Sequence, residues 1–447
     1  MPGPTVTFLG GVREIGGNKI LIDDGGDRVL FDFGRSFSQK YDDYFVNFLQ
    51  PRSTSYVKDL FEFDLLPREP GLYSEEVLEG TDLRYEAPRV RAVFVSHPHM
   101  DHVQYLDLLD PKIPVHLGKV THSVLQVMQT TSPGFGLGGG EVREFEDRKA
   151  VRVGRLEVVP FPVDHSVPGA YGFLVRTSEG CVVYTGDFRQ HGPRAADTAT
   201  FLEAAAAERP IALLTEGTRI GPDPRKDLSE EGVRTRAASV LGQAKDVALT
   251  TCYPRDLDRL TSLYHAARAS GRDFVVSFKS AQLLAEMADH HLPDVPVPGV
   301  SPGLAVYLRP KKTYRKWERP FLDAAIDAAE VHRHGARYLL QLDLAQFPEM
   351  IDVRPARGSP FLHSMSEPFS EEDVDHDVLL RWLDHFGLGY HQLHASGHCS
   401  GPELISLVRT MAPDTVIPIH TEHPEAFAPG GRPLVLAEVG RPYPLAA

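Results

Sequence analysis

Within six positions the chain carries His97, His99, Asp101 and His102, directly behind the apolar run VRAVFV that ends at Val95. In an extended segment residues two apart point the same way, so His97 and His99 are placed to hold one metal ion, while Asp101 and His102, past a bend, reach toward a second. A site for two hard or borderline cations needs about six or seven nitrogen and oxygen donors. The further donors follow later apolar runs: His165 in PVDHS, Asp187 in YTGDF and His420 in IPIHTEH. One histidine after a strand is ordinarily a satisfied surface or core residue. Seven ligand-type side chains in the same context point to a metal centre instead. His116, His122, His265, His290, His291, His332, His334 and His423 lack that context and read as structural or solvated.

Strand and helix signals show what must position these residues. Period-two apolar patterns fill the first third, with TVTFLG followed by NKILIDDGGDRVLFDFG, in which Asp24-Gly25-Gly26 signals a hairpin turn. Residues 35–88 read as a long irregular insertion rich in aromatic residues: Phe37, Tyr41, Tyr44, Phe45, Phe48, Tyr56, Phe61 and Phe63. A lid, a dimer contact and a base-stacking surface are its three candidate roles. Strands recur at LEVVPFPVDH, AYGFLVRT, CVVYTGDF and IALLTEG, with a helix at ATFLEAAAAE. From Thr218 the rhythm becomes alternating helix and strand, typical of a parallel α/β layer, with a helix expected over PFLDAAIDAAEVHRHG. Near residue 390 the earlier style returns, and Ser400 with Glu403 has capping-box spacing ahead of a helix.

Composition narrows the setting. The 447 residues suggest two or three domains, and 42% hydrophobic with 24% charged residues is close to globular averages. No apolar stretch approaches the roughly 18 residues that span a bilayer, and the opening MPGPTVTFLGG lacks a signal-peptide pattern, so a cytoplasmic protein without a membrane partner is expected. Three scattered cysteines, Cys181, Cys252 and Cys399, offer neither a disulfide framework nor a thiolate cage, and Cys399 beside His398 reads as a small turn residue rather than a reactive thiol. The net charge of −14 opposes a polyanionic partner at long range. LRPKKTYRKWERP, residues 308–320, nevertheless sets six basic residues against one acid with Tyr314 and Trp317 interleaved, either a local basic stripe or a solvated approach to a helix.

The ordered series TFLGGVREIGGNKILID, SHPHMDH, VDHS, YTGDF, SGH and IPIHTEH resembles the metallo-β-lactamase superfamily and, more closely, its β-CASP nuclease branch of ribonuclease J-like proteins. Glu216 in LLTEGT, His398 in HASGH and the roughly 180 residues between them carry that closer resemblance. It implies an α/β fold, a four-layered αββα domain formed by 1–216 and 390–447, with a β-CASP domain inserted over 217–389. It further implies one zinc on His97, His99 and His165, a second on Asp101, His102 and His420, and Asp187 bridging them, with Mn2+ as the other candidate ion. Threonine at 421 stands where the family has glycine, and Glu216 stands where ribonuclease J has aspartate.

Two such ions suit phosphodiester cleavage, because a hydroxide forms near neutral pH while the metals offset charge growing on phosphate. The expected activity is cleavage of single-stranded RNA, endonucleolytic, 5′-3′ exonucleolytic or both, leaving a 5′ phosphate. Asp101, Glu216 and His398 are the expected catalytic residues, His398 stabilising the phosphate or protonating the departing 3′ oxygen. His394, Ser396 and His398, in a turn that leads into a helix N-terminus, are the candidate phosphate contacts. A homodimer is the candidate assembly. The competing readings are a hydrolase of a small ester, thioester or lactam, and an inactive RNA-binding homologue.

Overall fold

The computed structural model describes residues 3–36, 41–46, 48–132, 134–222, 228–290, 292, 294–366 and 374–445. The first hairpin forms as its sequence requires: Lys19–Asp24 and Asp27–Phe31 pair antiparallel around Gly25 and Gly26, both at positive φ, which a two-residue turn of this hand demands. It lies in a seven-stranded sheet ordered 442–444, 5–10, 19–24, 27–31, 90–94, 115–118, 142–145. A six-stranded sheet follows the order 416–419, 212–216, 181–184, 170–176, 156–163, 151–153.

The two sheets bury their facing sides against each other. Val6, Phe8, Ile20, Ile22, Phe31 and Phe94 from one meet Val158, Phe173, Val175, Tyr184, Leu214 and Ile419 from the other. Phe31 lies at the middle of this layer, with ring centroids 5.6 Å from Phe94 and 5.2 Å from Phe173. Helix Lys119–Thr131 covers the outside of the first sheet, and Ala195–Ala207 with Gly401–Met411 cover the second. The result is the expected four-layered αββα sandwich. Helix Gly401–Met411 begins at the capping box read from Ser400 and Glu403.

A third sheet follows the order 325–326, 304–307, 273–276, 338–341, 248–251, 360–363, 389–392, and every pairing in it is parallel. All its strands therefore end on one edge. Its last strand, Gly389–Gln392, runs directly into the segment carrying His394, Ser396 and His398.

Two local expectations differ from the structure. The helix read over 320–335 is interrupted: Ala325–Ile326 pairs as a strand with Val306–Tyr307, and a six-residue helix restarts at Ala328, where the Asp327 side chain accepts from the Glu330 amide at 2.8 Å. Strand pairing and a local cap override the helix propensity of the alanines. The aromatic insertion also contains the helix Tyr56–Glu62, and Tyr41, Phe45 and Phe61 are buried in the core outside the first sheet. Tyr44 stacks on Phe63 at 4.1 Å, Phe48 is exposed, and Phe37 lies outside the described residues.

The sandwich and the third sheet are joined by a buried ion lattice. Arg189, two residues beyond Asp187 and fully buried, donates to Asp164 at 3.0 Å, beside His165. Its other nitrogens reach Asp258 at 2.6 Å, Glu230 at 3.4 Å and the Ser396 carbonyl at 3.2 Å. Arg259 meets the same acid from the other side, reaching Glu230 at 3.0 Å and the Ala395 carbonyl at 3.1 Å. Burial disfavours an ionised Glu230, yet these two guanidinium groups hold its carboxyl down at about 2. Removing one partner leaves carboxylates charged and dry, which costs about 3–5 kcal/mol in comparable cases. Arg189→Leu is expected to lower unfolding free energy by about that amount; a urea midpoint within error of wild type would show the lattice to be dispensable.

Candidate metal centre

The loop after Val90–Phe94 is clamped at its carbonyls. Asn18 donates to the Asp101 carbonyl at 3.1 Å, Phe33 to that of His102 at 2.7 Å and Arg35 to that of Met100 at 3.1 Å. Close approach is possible because residue 34 is glycine. A Cβ there would sit 1.7 Å from the Asp101 oxygen and 2.2 Å from the His102 nitrogen.

Held this way, the loop brings its four ligand-type residues together with the three from later strand ends. His97 Nε2 and His165 Nε2 each lie 3.1 Å from His99 Nδ1. Asp101, His102, Asp187 and His420 form a second nest, with His420 Nε2 2.9 Å from Asp101 Oδ2. Asp187 Oδ2 stands between the nests, 3.3 Å from His102 Nε2, 3.4 Å from His420 Nε2 and 3.7 Å from His97 Nε2. His398 approaches the same oxygen at 4.0 Å.

Outer partners orient the rings. His102 Nδ1 donates to Asp32 at 2.8 Å, His165 Nδ1 donates to the Gly397 carbonyl at 2.6 Å, and His420 Nδ1 hydrogen-bonds with the Thr218 hydroxyl at 2.9 Å. In each case the other ring nitrogen is left facing inward, the arrangement that fixes a metal-binding tautomer. Asp32 is a residue that sequence reasoning missed. It also accepts from the Ser96 amide at 2.7 Å and the Tyr184 hydroxyl at 2.5 Å, from a left-handed backbone at φ +57°. One signal could have found it, an acid directly after the apolar end of strand Asp27–Phe31.

The donors fit divalent cations by a test internal to the structure. His102 Nε2, Asp101 Oδ1 and Asp187 Oδ1 are buried without a hydrogen-bond partner, an arrangement a folded protein keeps only when something else satisfies it. His97, His99 and His165 turn lone pairs on one another, which no set of protons on three facing nitrogens resolves as well as a cation does. The chemistry of the two nests, three imidazoles in one and mixed imidazole and carboxylate in the other, suits zinc-like ions.

Charge follows the same division. Burial lowers His97 and His165 well below the usual imidazole range and His99 to about 4. Burial would depress His102 and His420 too, but Asp187 and Asp101, joined for His102 by Asp32, overcome it and raise His102 well above the ordinary value and His420 to about 9.

Glu216 ends the strand Ala212–Glu216, fully buried, and its carboxylate accepts from the Thr218 amide at 3.0 Å and from His398 Nδ1 at 3.1 Å. The His398 ring lies 5.1 Å from that of His165 and 5.7 Å from that of His420. The Ser396 hydroxyl accepts from the His398 amide at 3.1 Å, so it shapes the turn, and His394 meets Arg259 at 3.4 Å. Burial raises the Cys399 thiol well above its usual range, and its sulfur accepts from Gln190 at 3.8 Å, in keeping with a packed turn residue. His116, set aside from the centre, stacks on Phe94 at 4.9 Å. Arg255, from the loop after strand Ala248–Thr251, has Asp101 as its charged neighbour and raises the cost of protonating His99. Nothing in its sequence context distinguishes it from the other arginines.

Residues 70–226 match the family model of the beta-lactamase superfamily domain, and residues 388–428 match that of the Zn-dependent metallo-hydrolase RNA specificity domain. The chain is similar to ribonuclease J2 of Bacillus subtilis, 23% identical over 94% of this chain and 69% of that protein. It is also similar to ribonuclease J of Sinorhizobium meliloti, 25% identical over 74% of this chain and 58% of the relative, and to ribonuclease J of Mycolicibacterium smegmatis, 24% identical over 94% and 69%. It thus spans roughly six- to seven-tenths of their lengths. A crystal structure of a protein of unknown function from Enterococcus faecalis V583 superposes with a TM-score of 0.79 at 25% identity, covering 98% of this chain and 99% of that one.

The clamp and the charge division can each be tested. Gly34→Ala must push the Asp101–His102 backbone away, costing about 1–3 kcal/mol and lowering metal content measured by elemental analysis; full occupancy would contradict the clamp. The second expectation concerns protons. A histidine raised to about 9, like His420, is charged in the metal-free fold and largely neutral in the unfolded chain above about 6.5. Its stabilising contribution is complete below 6.5 and is lost as pH rises toward 9. A cation entering the second nest must displace those protons, so its affinity rises over the same window, whereas the His97, His99 and His165 nest is already neutral. Calorimetry in buffers of different ionisation enthalpy is expected to show proton release near pH 7 for one of two bound ions; release by neither, or equal release by both, would contradict this division.

Proposed function

We propose that the chain is a ribonuclease J-like metallo-hydrolase of the metallo-β-lactamase/β-CASP type that cleaves single-stranded RNA at phosphodiester bonds with two divalent ions, leaving a 5′ phosphate. The observation that carries the reading is the pair of nests joined at one Asp187 oxygen, with the His398–Glu216 pair at their rim. His97, His99 and His165 would hold one ion, Asp101, His102 and His420 the other, with Asp187 between them and zinc as the proposed metal. When bound, such ions supply a water acidified to near neutral pH and neutralise charge on the phosphate oxygens.

The protein's own groups divide the remaining work. Glu216 takes the His398 Nδ1 proton in a hydrogen bond, which leaves Nε2 as the nitrogen able to carry a proton to the substrate. His398 is partly exposed, as a group that meets a substrate must be, while Glu216 behind it is buried. A proton on Nε2 stabilises the phosphate or passes to the departing 3′ oxygen. The turn 394–398 supports a phosphate contact by His398, with Ser396 holding the backbone beneath it. Asp101, which touches His420 and faces His102, belongs to the reacting centre in this reading.

We further propose that residues 1–216 and 390–447 act as one domain and 217–389 as an inserted one, the strand Gly389–Gln392 straddling the second junction, and that RNA lies in the cleft between them. A cytoplasmic setting and a homodimer belong to the same reading. Among the described residues no helix is long and apolar enough to cross a membrane.

The decisive assay incubates zinc- or manganese-loaded protein with RNAs bearing a 5′ triphosphate, monophosphate or hydroxyl and a 3′ label. Mononucleotide release from monophosphorylated RNA alone identifies an exonuclease, and discrete internal fragments identify an endonuclease. RNA left intact in every case, with cleavage of a small ester, thioester or lactam, would replace this function with the competing one. His398→Ala is expected to lower turnover about 100-fold or more with metal content unchanged; full turnover would remove His398 from the reaction.

A further inference from the structure

Building on the proposed RNA cleavage, we infer that the carboxyl edge of the third sheet is a cationic track for the RNA backbone, running from Arg255 beside the metal centre through Lys279 to the basic loop 308–320. In a parallel sheet all carboxyl ends share one edge, and open α/β sheets bind ligands outside that edge. Here the edge faces the metal centre. Arg259, after strand Ala248–Thr251, donates to the Ala395 carbonyl at 3.1 Å, and the strand Gly389–Gln392 leads into His394 and His398.

Sheet order then sets the positions of the cations. Arg255 follows the strand Ala248–Thr251, Lys279 follows Asp273–Val276, and residues 308–320 follow Leu304–Tyr307. From the first of these strands to the last is three neighbour steps, about 14 Å at about 4.8 Å per step. That reach exceeds the spacing of adjacent phosphates in an extended single strand, so the track engages RNA beyond the bond being cut.

The far loop is built rather than loose. Lys311 pairs with Glu318 and lies over the rings of Phe278 and Tyr314, at 5.7 and 5.4 Å. Glu318, buried, also accepts from the Arg315 amide at 2.7 Å. Arg309 pairs with Glu349 at 3.1 Å, and the Tyr314 hydroxyl donates to the Arg309 carbonyl at 3.1 Å. The acid of the segment is thereby consumed inside the loop. Lys312, Arg315, Lys316 and Arg319 remain exposed, with no side-chain ion pair among the described residues. Four unpaired cations in eight positions, on a chain of net charge −14, concentrate positive potential where the rest of the surface repels a polyanion. Trp317, partly buried between them, has an indole N–H that is itself buried without a hydrogen-bond partner. Asp343, on the intervening strand end, is raised to about 6 by burial despite the nearby Lys279, which lessens its negative charge.

The test compares two quadruple variants of equal charge. One removes the track, Lys312→Ala, Arg315→Ala, Lys316→Ala and Arg319→Ala. The other removes four exposed cations elsewhere, Arg143→Ala, Lys149→Ala, Arg152→Ala and Arg441→Ala. Initial rates are measured on single-stranded RNAs of 2 to 20 nucleotides over a range of salt, with thermal melting to verify folding. The track variant is expected to raise KM for the longer RNAs at least five-fold over the control variant, by a factor that grows with length. It is also expected to flatten the slope of log affinity against log salt by about 0.7 for each phosphate no longer neutralised. The double reversal Arg315→Glu and Lys316→Glu is expected to exceed it. Equal KM and equal salt slopes for the track and control variants, with wild-type cleavage intact, would overturn the track alone. A wild-type protein that neither cuts nor binds RNA would overturn the proposed function and the track with it.

Discussion

Seven side chains, nearly all of them fully buried, that repel or starve one another unless a cation lies among them are the constraint on which this structure depends. Three imidazole nitrogens face each other in one nest, and carboxylate and imidazole atoms without hydrogen bonds line the other. Burying such groups is costly unless they are paired. The fold maintains the arrangement by supporting it from behind: Asp32, Ser96, Tyr184, Thr218 and the Gly397 carbonyl occupy the outward-facing polar atoms. What remains unsatisfied points inward. In the metal-free fold protons on His102 and His420 supply part of the missing positive charge, as their raised proton affinities indicate.

The same ligands tie the centre to the inserted α/β layer. Asp164 precedes His165 and Arg189 follows Asp187, and these two neighbours carry the ion lattice across to Glu230, Asp258 and Arg259. A shift of the third sheet relative to the sandwich would therefore strain two of the candidate ligands, His165 and Asp187. That coupling places the His394–His398 turn, which hangs between the third sheet and the helix Gly401–Met411, under control of both halves.

Much of the candidate centre was legible because its residues announce themselves by type. Histidines and acids at the ends of apolar strands have few structural uses in such number, and the structure brings all seven together. Asp32 went unread although it stands in the same context, since a single acid after a strand is common and its work is done on His102 from behind. Arg255 was invisible for a different reason. It reaches the centre only through the packing of the third sheet, and no local pattern encodes that. The aromatic insertion at 35–88 was ambiguous on its own, and burial assigns part of it: Tyr41, Phe45 and Phe61 serve the core, while Tyr44 and Phe48 are exposed. The helix expected over 320–335 failed because a two-residue strand pairing, formed with a distant segment, outweighed local propensity.

Sequence by itself determined the ligand types, the strand-end context of each, the first hairpin and the capped helix after Ser400, because these depend on periodicity and on interactions within a few residues. Tertiary structure alone decided which ring nitrogen faces inward, that one Asp187 oxygen serves both nests, that Gly34 must lack a side chain, and that all carboxyl ends of the third sheet share one edge. Those facts concern groups up to 319 positions apart, as His420 and Asp101 are. Their separation along the chain carries no information about distance until sheets are packed and the angles between them are set.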